Sequence, residues 1–436
     1  MKYYEIRDPI LGFIAVNEWE REIIDHWAFQ RLRRIKQLAW TDMVYPGATH
    51  SRFEHSLGVM HIATQMFDSI VNKNAEFLKS ELNFTEAGFQ RDRVLVRLAG
   101  LLHDIGHPPF SHAGEELMPI NPATGKAYKH EAYSEAVIRY LFKDVIENHP
   151  LNQNYHIKAD DIADFLAGKP STGRSLLWRS LITGQLDADR ADYLLRDSHH
   201  IGVEYGKYDL KRLLVTLTVA FDENGEPVLG VEEGGWHAAE GLILARYMMF
   251  TQVYFQHTRR AYDYHLVQLM KDLLKSNAEG SDAQEGIFPP PTSVDNVTCY
   301  LKWDDWRVYG LLQSGLGGPH AELIRKRKHH RSVFQTTEVP TVEDLSLLEE
   351  ICSELGELVC FVDEAENSWY KFGREDIYVL PEKSKKNARK TKLLSAISSV
   401  VHGLKPIKQK RVYVPWERKR EAEKRVRKVL NPVGGD

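Results

Sequence analysis

The sequence predicts a mainly α-helical fold: a helical core, small β-hairpins or sheets decorating it, and an α+β region toward the C-terminal end. Two observations carry this. Apolar residues recur at three- and four-residue intervals through most of the chain, while alternating apolar segments bounded by turn residues are few and short. Size is the third: 436 residues, 43% of them hydrophobic, can bury a sizeable core and exceed one ordinary domain.

Taken in order, EREIIDHWAFQRLRRIKQL (20–38), RFEHSLGVMHIATQMFDSIV (52–71), DRVLVRLAGLLHDIG (92–106), HEAYSEAVIRYLFKDVI (130–146) and AAEGLILARYMMFTQVYFQHTRRAYDYHLVQLMKDLL (238–274) each read as an amphipathic helix. LTVAFDENGEPVLGVEE (217–233) reads as a hairpin turning at Asn224-Gly225, because those residues tolerate the positive φ of a tight turn. ELVCFVDEA (357–365) and RVYVP (411–415) read as strands. NAEGSDAQEGIFPPPTSVDN (277–296) is polar, contains Gly and runs through Pro289-Pro290-Pro291, so it predicts a division near residue 285 between a region 1–285 and a region 286–436. No internal repeat is visible.

Composition narrows the function. No apolar run approaches the roughly 18 residues of a membrane helix, and MKYYEIRDPI lacks the apolar stretch of a signal peptide, which together favour a cytoplasmic protein. Cys299, Cys352 and Cys360 are too few and scattered for a disulfide framework or a Cys-based zinc site, so any metal must use His and carboxylates. The net charge of −4 hides an asymmetry: residues 381–436 hold 17 Lys/Arg against 5 Asp/Glu. Such a tail reads as a solvated helix face, or as a grip on phosphates of a nucleotide, a nucleic acid or an acidic neighbouring subunit. NPATGKAYKHE contains Gly125-Lys126 without the rest of a phosphate loop, which argues against an ATPase.

The chemistry concentrates in LLHDIGHPPFSH (101–112). Val94, Leu95, Leu98, Leu101 and Leu102 bury one side of a helix, so His103 and Asp104 fall at its end, before Gly106, Pro108 and Pro109 stop it. Adjacent helical residues project about 100° apart, which suits two ligands of one ion. His55 sits in another amphipathic helix, and GQLDADRADYLLRDSHH supplies Asp187, Asp189, Asp192 and Asp197. Imidazole and carboxylate together suit Fe, Mn, Zn, Ni or Co, with Mg also accommodated. His107, His112, His130, His199 and His200 lie in or near the same segments; burying them singly costs several kcal/mol, so a shared polar cavity is the cheaper arrangement.

The words FQRLRRIKQL, YPGATHSRFEHSLGV, LLHDIGHPPFSH and ADRADYLLRDSHHIGV resemble those of HD-domain phosphohydrolases, in particular the deoxynucleoside triphosphate triphosphohydrolase (dNTPase) branch. The resemblance runs from about residue 5 to 275, and the chain starts directly at the HD module without the SAM domain of the animal members, as bacterial forms do. It implies a metal held by His55, His103, Asp104 and Asp189, with open positions for a phosphate oxygen and water. It implies His112 as the acid that protonates the leaving sugar oxygen, with His107 and His130 near the α-phosphate and Glu131 orienting one of these rings. Arg52 and Arg190 match residues that meet the triphosphate, Tyr193 one that lies against the sugar, and Gln37 and Asp197 the pair that hydrogen-bonds the 3′-hydroxyl. Leu38 and Tyr262 match residues that crowd the 2′ position; beside the latter, Asp263 departs from the amide of the animal enzymes. Asp25, Gln30 and Arg33 match a pattern that reads a guanine nucleotide at a subunit interface.

The resemblance therefore implies a nucleotide-activated dNTP triphosphohydrolase with a divalent metal, an activator such as dGTP, GTP or another dNTP, and a dimeric or tetrameric homo-oligomer. In this reading 1–285 is the catalytic core and 286–436 a regulatory or oligomerisation region whose basic tail could contact nucleic acid. The competing readings are an HD-type 5′-nucleotidase or single-strand nuclease, and a nucleic-acid-binding module that keeps the site without activity. Few aromatic residues punctuate the basic tail, only Tyr413 and Trp416, which weighs against a single-strand binder.

Overall fold

The helix Arg52–Leu82 begins at Ser51, whose amide donates to Glu54 Oε1 (3.0 Å) and whose hydroxyl donates to Glu54 Oε2 (2.5 Å), and it ends at Asn83, in the left-handed region at φ 56°. The next helix, Glu86–Leu102, starts at Thr85, whose Oγ1 accepts from the Gly88 amide at 3.0 Å. These two helices lie against each other so closely that a Cβ on Gly100 would stand 3.1 Å from the Met60 Cα. Their facing sides, Val59, Met60, Ala63 and Met66 with Leu95, Leu98, Ala99 and Leu102, are fully or almost fully buried. Arg97 crosses this apolar layer and is neutralised by Glu20, at 2.5 and 2.8 Å.

The computed structural model describes residues 2–277, 286–381 and 391–431, and it bears out the mainly helical core with small sheets and an α+β C-terminal region. Tyr3–Asp8 and Gly12–Asn17 pair antiparallel, Tyr3 opposite Asn17. The hairpin at Asn224-Gly225 forms as Leu217–Phe221 against Pro227–Glu232, and the latter strand pairs in parallel with Tyr378–Leu380, which pairs in turn with Lys392–Leu393. The two C-terminal strands expected from sequence are Phe361–Asn367 and Ile407–Val414; the latter is the centre of a three-stranded antiparallel sheet with Arg331–Gln335 on its other side. Helices Val342–Leu355 and Lys419–Leu430 cover this sheet through Leu348, Ile351, Val412, Val414, Ala422 and Val426. In the tail helix, Arg420, Lys424, Arg427 and Lys428 point to solvent.

Three expected helices are broken, one of them, residues 130–146, into His130–Leu141 and Lys143–Glu147. Residues 20–38 divide into Glu18–Asp25, Trp27–Gln30 and a 3₁₀ turn Arg31–Arg34. His26 causes the first break: its backbone is extended (φ −64°, ψ 136°) and its Nδ1 accepts from the Ala28 amide at 3.3 Å, so the side chain caps a new helix. The long stretch 238–274 divides into Trp236–Met249, a π turn Phe250–Tyr254 and the helix His257–Asn277. The expected division near residue 285 falls in 278–285, outside the described residues, as do 382–390 and 432–436 of the basic tail. The main apolar core includes residues from both sides of that point, such as Leu98 and Leu194 with Val297, Tyr300 and Val308. Among the described residues, no helix is long and apolar enough to cross a membrane.

Candidate active site

Three helices converge on His55, His103-Asp104 and Asp189. His55 is one turn into Arg52–Leu82 and fully buried; His103 caps the end of Glu86–Leu102; Asp189 is in the first turn of Ala188–Ile201, which Asp187 starts by accepting from the Arg190 amide at 2.8 Å. His55 Nε2 lies 3.1 Å from Asp189 Oδ1 and 3.5 Å from Asp104 Oδ2; His103 Nε2 lies 3.3 Å from Asp104 Oδ1 and 3.9 Å from Asp189 Oδ1. Neither Nε2 has a hydrogen-bond partner, although both are buried.

The opposite ring nitrogens explain why. His103 Nδ1 is 2.9 Å from the Gly100 carbonyl, which can only accept, so the proton sits on Nδ1 and Nε2 presents a lone pair. His55 Nδ1 donates to Asp192 Oδ2 at 2.8 Å, and Asp192 is itself held by Arg196 through two 2.8 Å bonds, while Arg196 also binds Asp8 at 2.8 Å. A carboxylate behind an imidazole is the arrangement that orients metal-ligating histidines. Burial alone would lower the His55 pKa, but its contacts with Asp189 and Asp192 and the Asp104 charge raise it to about 10, so these carboxylates favour a cation at this point. Burial likewise opposes the charge on Asp104, yet Arg52, His103 and His107 hold its carboxyl well below the usual range. His55, His103 and Asp104 form a His/Asp cluster able to hold a divalent ion, and Asp189 stands beside it, 3.1 Å from His55 Nε2.

A second cluster, His107, His112, Glu115 and His130, flanks the first. His107 and His130 stack with ring centroids 3.8 Å apart, and His107 Nε2 is 3.3 Å from Asp104 Oδ1. Burial first, then the Arg52 and His130 charges, push the His107 pKa well below normal, so this ring is neutral. Glu115 hydrogen-bonds His130 Nδ1 and lies 3.4 Å from His112 Nδ1; burial would raise its pKa, but these two contacts hold the carboxyl far below the usual range. Glu131 is 3.4 Å from His130 Nδ1 with its side chain 62% exposed. Orientation of the rings thus falls chiefly to Glu115, a residue the sequence reading did not single out; its signal was the i, i+3 spacing from His112 within SHAGEEL.

The cluster opens into two adjoining cavities of 320 and 390 Å³, which share Gln37, Arg52, His112, Asp189, Arg190 and Tyr193. Leu38 and Asp197 line the second. Asp197 is buried, accepts from the Tyr254 hydroxyl at 2.5 Å and sits 2.8 Å from His50 Nε2. Arg52 is committed to Asp104 and, at 2.8 Å, to the Ser111 hydroxyl; Arg190 lies 3.1 Å from Asp187. Tyr262 does not join the cleft lining: it is fully buried against Trp40 and His329, at centroid distances of 6.2 and 4.6 Å. His199 and His200 also lie outside the cluster, His200 stacking on His50 at 4.5 Å. A separate cavity of 590 Å³ is lined by Asp25 and Arg33 together with Arg7, Arg21 and Arg196. Gln30 serves as a brace at its edge, accepting from Arg33 Nε at 2.9 Å and donating to the Ile24 carbonyl at 2.7 Å.

Loop 106–111 is shaped by two constraints. A Cβ on Gly106 would stand 2.2 Å from the Ser134 amide nitrogen, so only glycine lets the His130–Leu141 helix approach the centre. Phe110 and Ser111 both take positive φ (59° and 57°), and Asp305 holds this turn by accepting from the Phe110 amide at 2.8 Å while also accepting from Lys36 at 2.8 Å. A third histidine group, His265, His320 and His330, gathers elsewhere. There His265 Nε2 accepts the His330 amide at 3.0 Å, which leaves its proton on Nδ1 facing His320 Nδ1 at 2.9 Å, a hydrogen-bonded pair of rings and not a free ligand set.

A helical fold built around a buried His/Asp centre defines the class, and comparison with known proteins identifies the family. The HD domain model matches residues 52–197 and the HD associated region model 208–285. The chain is 31% identical over 355 residues to the uncharacterised protein YwfO of Bacillus subtilis, covering 80% of this chain and 75% of that one. It superposes on the crystal structure of a hypothetical protein from Aquifex aeolicus with a TM-score of 0.76 and 32% identity, covering 98% of this chain and 100% of that one. It is 35% identical over 200 residues to the deoxynucleoside triphosphate triphosphohydrolase SAMHD1 homolog of Dictyostelium discoideum, covering 45% of this chain. The chain spans only part of some relatives, 51% of one from Methanocaldococcus jannaschii and 36% of the Dictyostelium protein. The chain belongs to the HD-domain family.

Proposed function

We propose that the protein is a metal-dependent dNTP triphosphohydrolase, which splits a dNTP into deoxynucleoside and inorganic triphosphate and is activated by a nucleotide at a second site. The observation that carries this reading is one cleft in which the His/Asp centre is flanked by His107, His112 and His130 and adjoins Gln37, Tyr193 and Asp197. The Dictyostelium relative, by its name, supports the same activity.

His55, His103, Asp104 and Asp189 would hold the ion, since the bare Nε2 atoms and ionised carboxylates match its donor preferences. A divalent ion there, Mn, Fe, Mg, Ni, Co or Zn, supplies Lewis acidity toward a phosphoryl oxygen and acidifies a water. His112 delivers the proton that the departing 5′ oxygen needs, and the Glu115 carboxylate, 3.4 Å from its Nδ1, holds the ring in place. Neutral His107, stacked on His130, lines the phosphate side of the centre. Arg190 and Arg52 face the triphosphate, Tyr193 packs on the sugar, and Gln37 and Asp197 bind its 3′-hydroxyl; Leu38 crowds the 2′ position, while Tyr262 lies outside the cleft lining.

The activator takes the cavity at Asp25 and Arg33, where the Asp25 carboxylate accepts from a guanine edge and the arginines meet its phosphates. Its location on the surface formed by the N-terminal hairpin fits an interface between copies of the chain in a dimer or tetramer. In this reading 1–285 carries catalysis and 286–436 regulation and assembly. The test is to incubate the protein with each dNTP, singly and mixed, with Mn²⁺ or Mg²⁺. Deoxynucleoside with intact triphosphate supports the reading, and dependence on a second nucleotide supports activation. Monophosphate or diphosphate products, or cleavage of single-stranded DNA without dNTP turnover, move it to the nucleotidase or nuclease alternative.

A further inference from the structure

The arginines around the second cavity differ in one respect. Arg52 is paired with Asp104, Arg190 with Asp187, Arg259 with Asp263 at 3.4 Å and Arg260 with Asp363. Arg246, in the last turn of the Trp236–Met249 helix, has no carboxylate within 4.0 Å among the described residues. Its polar contacts are neutral: Nη1 donates to the Trp369 carbonyl at 3.0 Å, the Tyr193 phenol lies beside it, and the guanidinium stands 5.5 Å from the Phe250 ring. Its Nε is buried without a partner.

Arg246 is also pressed against a like charge. Burial lowers its pKa; the Tyr193 phenol and the Asp187 carboxylate oppose that shift, and the Arg190 charge adds to it. A desolvated cation beside another cation is costly unless an anion arrives to bridge them. Arg190 lines both cavities and Arg246 only the second, so the two guanidinium groups lead away from the His/Asp centre along the cleft. Guanidinium binds phosphate oxygens bidentately, and a pair of them suits a chain of phosphates better than a single one.

We propose that Arg246 anchors the terminal phosphates of the substrate and, with Arg190, makes the site select a triphosphate over a mono- or diphosphate. This rests on the dNTPase reading for the substrate, while the polyphosphate site itself does not. A lost charge-assisted contact of this kind weakens binding roughly ten- to a hundredfold.

The probe is inorganic triphosphate, titrated calorimetrically into the metal-loaded protein and into Arg246→Gln and Arg246→Lys, with metal content and thermal unfolding recorded for each. The expected result is at least tenfold weaker triphosphate binding in Arg246→Gln, an intermediate loss in Arg246→Lys, and a collapse of the dNTP-to-dNDP ratio of kcat/KM. Because Arg246 also touches the Trp369 carbonyl, Arg246→Lys decides the matter if Arg246→Gln loses its metal. Triphosphate affinity within twofold of the parent in whichever variant keeps its metal overturns the proposal. Weakened triphosphate binding in a protein that never hydrolyses a dNTP leaves the Arg246 site standing and removes the dNTPase reading. Turnover of dNTPs with unchanged affinity and selectivity in the variants does the reverse.

Discussion

At the proposed metal centre, Asp192→Asn separates orientation of a ligand from ligation itself. In the structure Asp192 Oδ2 accepts from His55 Nδ1 and Arg196 Nε, and Oδ1 accepts from Arg196 Nη2, all at 2.8 Å, with Asp192, His55 and Arg196 fully or almost fully buried. An asparagine provides one acceptor oxygen for these three donors and turns an amide N–H toward at least one of them. Removing one partner of a buried ion pair costs about 3–5 kcal/mol. Arg196 keeps Asp8 at 2.8 Å, which places the loss at the lower end, about 3 kcal/mol. Loss of the carboxylate behind a ligating imidazole weakens metal binding by about 10- to 100-fold, or about 1.4–2.7 kcal/mol. Stability should therefore suffer more than metal affinity, and saturating metal should restore occupancy. Urea unfolding of chelator-treated protein reads the first quantity and Mn²⁺ titration the second. Metal affinity within twofold of the parent, alongside the stability loss, would refute the claim that Asp192 orients His55.

Four further outcomes follow from the same geometry. Asp189→Ala, or His103→Ala with Asp104→Ala, should lose metal and turnover, whereas His112→Ala should keep metal and lose about 10²–10⁴ in rate; full rate with metal retained in the His112 variant rejects it as the acid. Gly58→Ala should reduce metal occupancy without touching a ligand, because its Cβ would stand 1.9 Å from Asp192 Oδ1 and 2.6 Å from Arg196 Nη2; elemental analysis of the purified variant checks this. Burial raises the Asp305 pKa to about 7, so the folded chain holds this proton more tightly than the unfolded one, and the carboxyl's contribution falls as pH climbs from about 4 to 7. The parent should lose on the order of 4 kcal/mol relative to Asp305→Asn across that window, and parallel stability curves would contradict it. Arg33→Ala should abolish nucleotide activation and leave metal content unchanged; activation kinetics identical to the parent dismiss the effector cavity.

The centre was legible because its residues sit in short words on strongly periodic helices. His103-Asp104 ends a helix whose apolar stripe is unmistakable, and Asp189 follows a residue, Asp187, suited to start one. What escaped depends on contacts far apart in the chain. Glu115 matters through His130, 15 residues on, and Asp305 reaches Phe110 across 195 residues, so local pattern carries little trace of either. The broken helices escaped for another reason. Apolar periodicity runs unbroken through His26 and through Phe250–Tyr254, and only the capping role of one imidazole and a widened turn interrupt the backbone. Arg52 illustrates a third limit: its residue type suits phosphate, but no local pattern reveals that it also contacts Asp104 and Ser111 while lining the cleft.

The central claim is that water attacks the α-phosphorus and the sugar oxygen leaves. Hydrolysis of a dNTP in ¹⁸O-labelled water, with mass analysis of both products, tests it directly. One labelled oxygen is expected in inorganic triphosphate and none in the deoxynucleoside. Label in the deoxynucleoside, or release of pyrophosphate or orthophosphate in place of triphosphate, would contradict it.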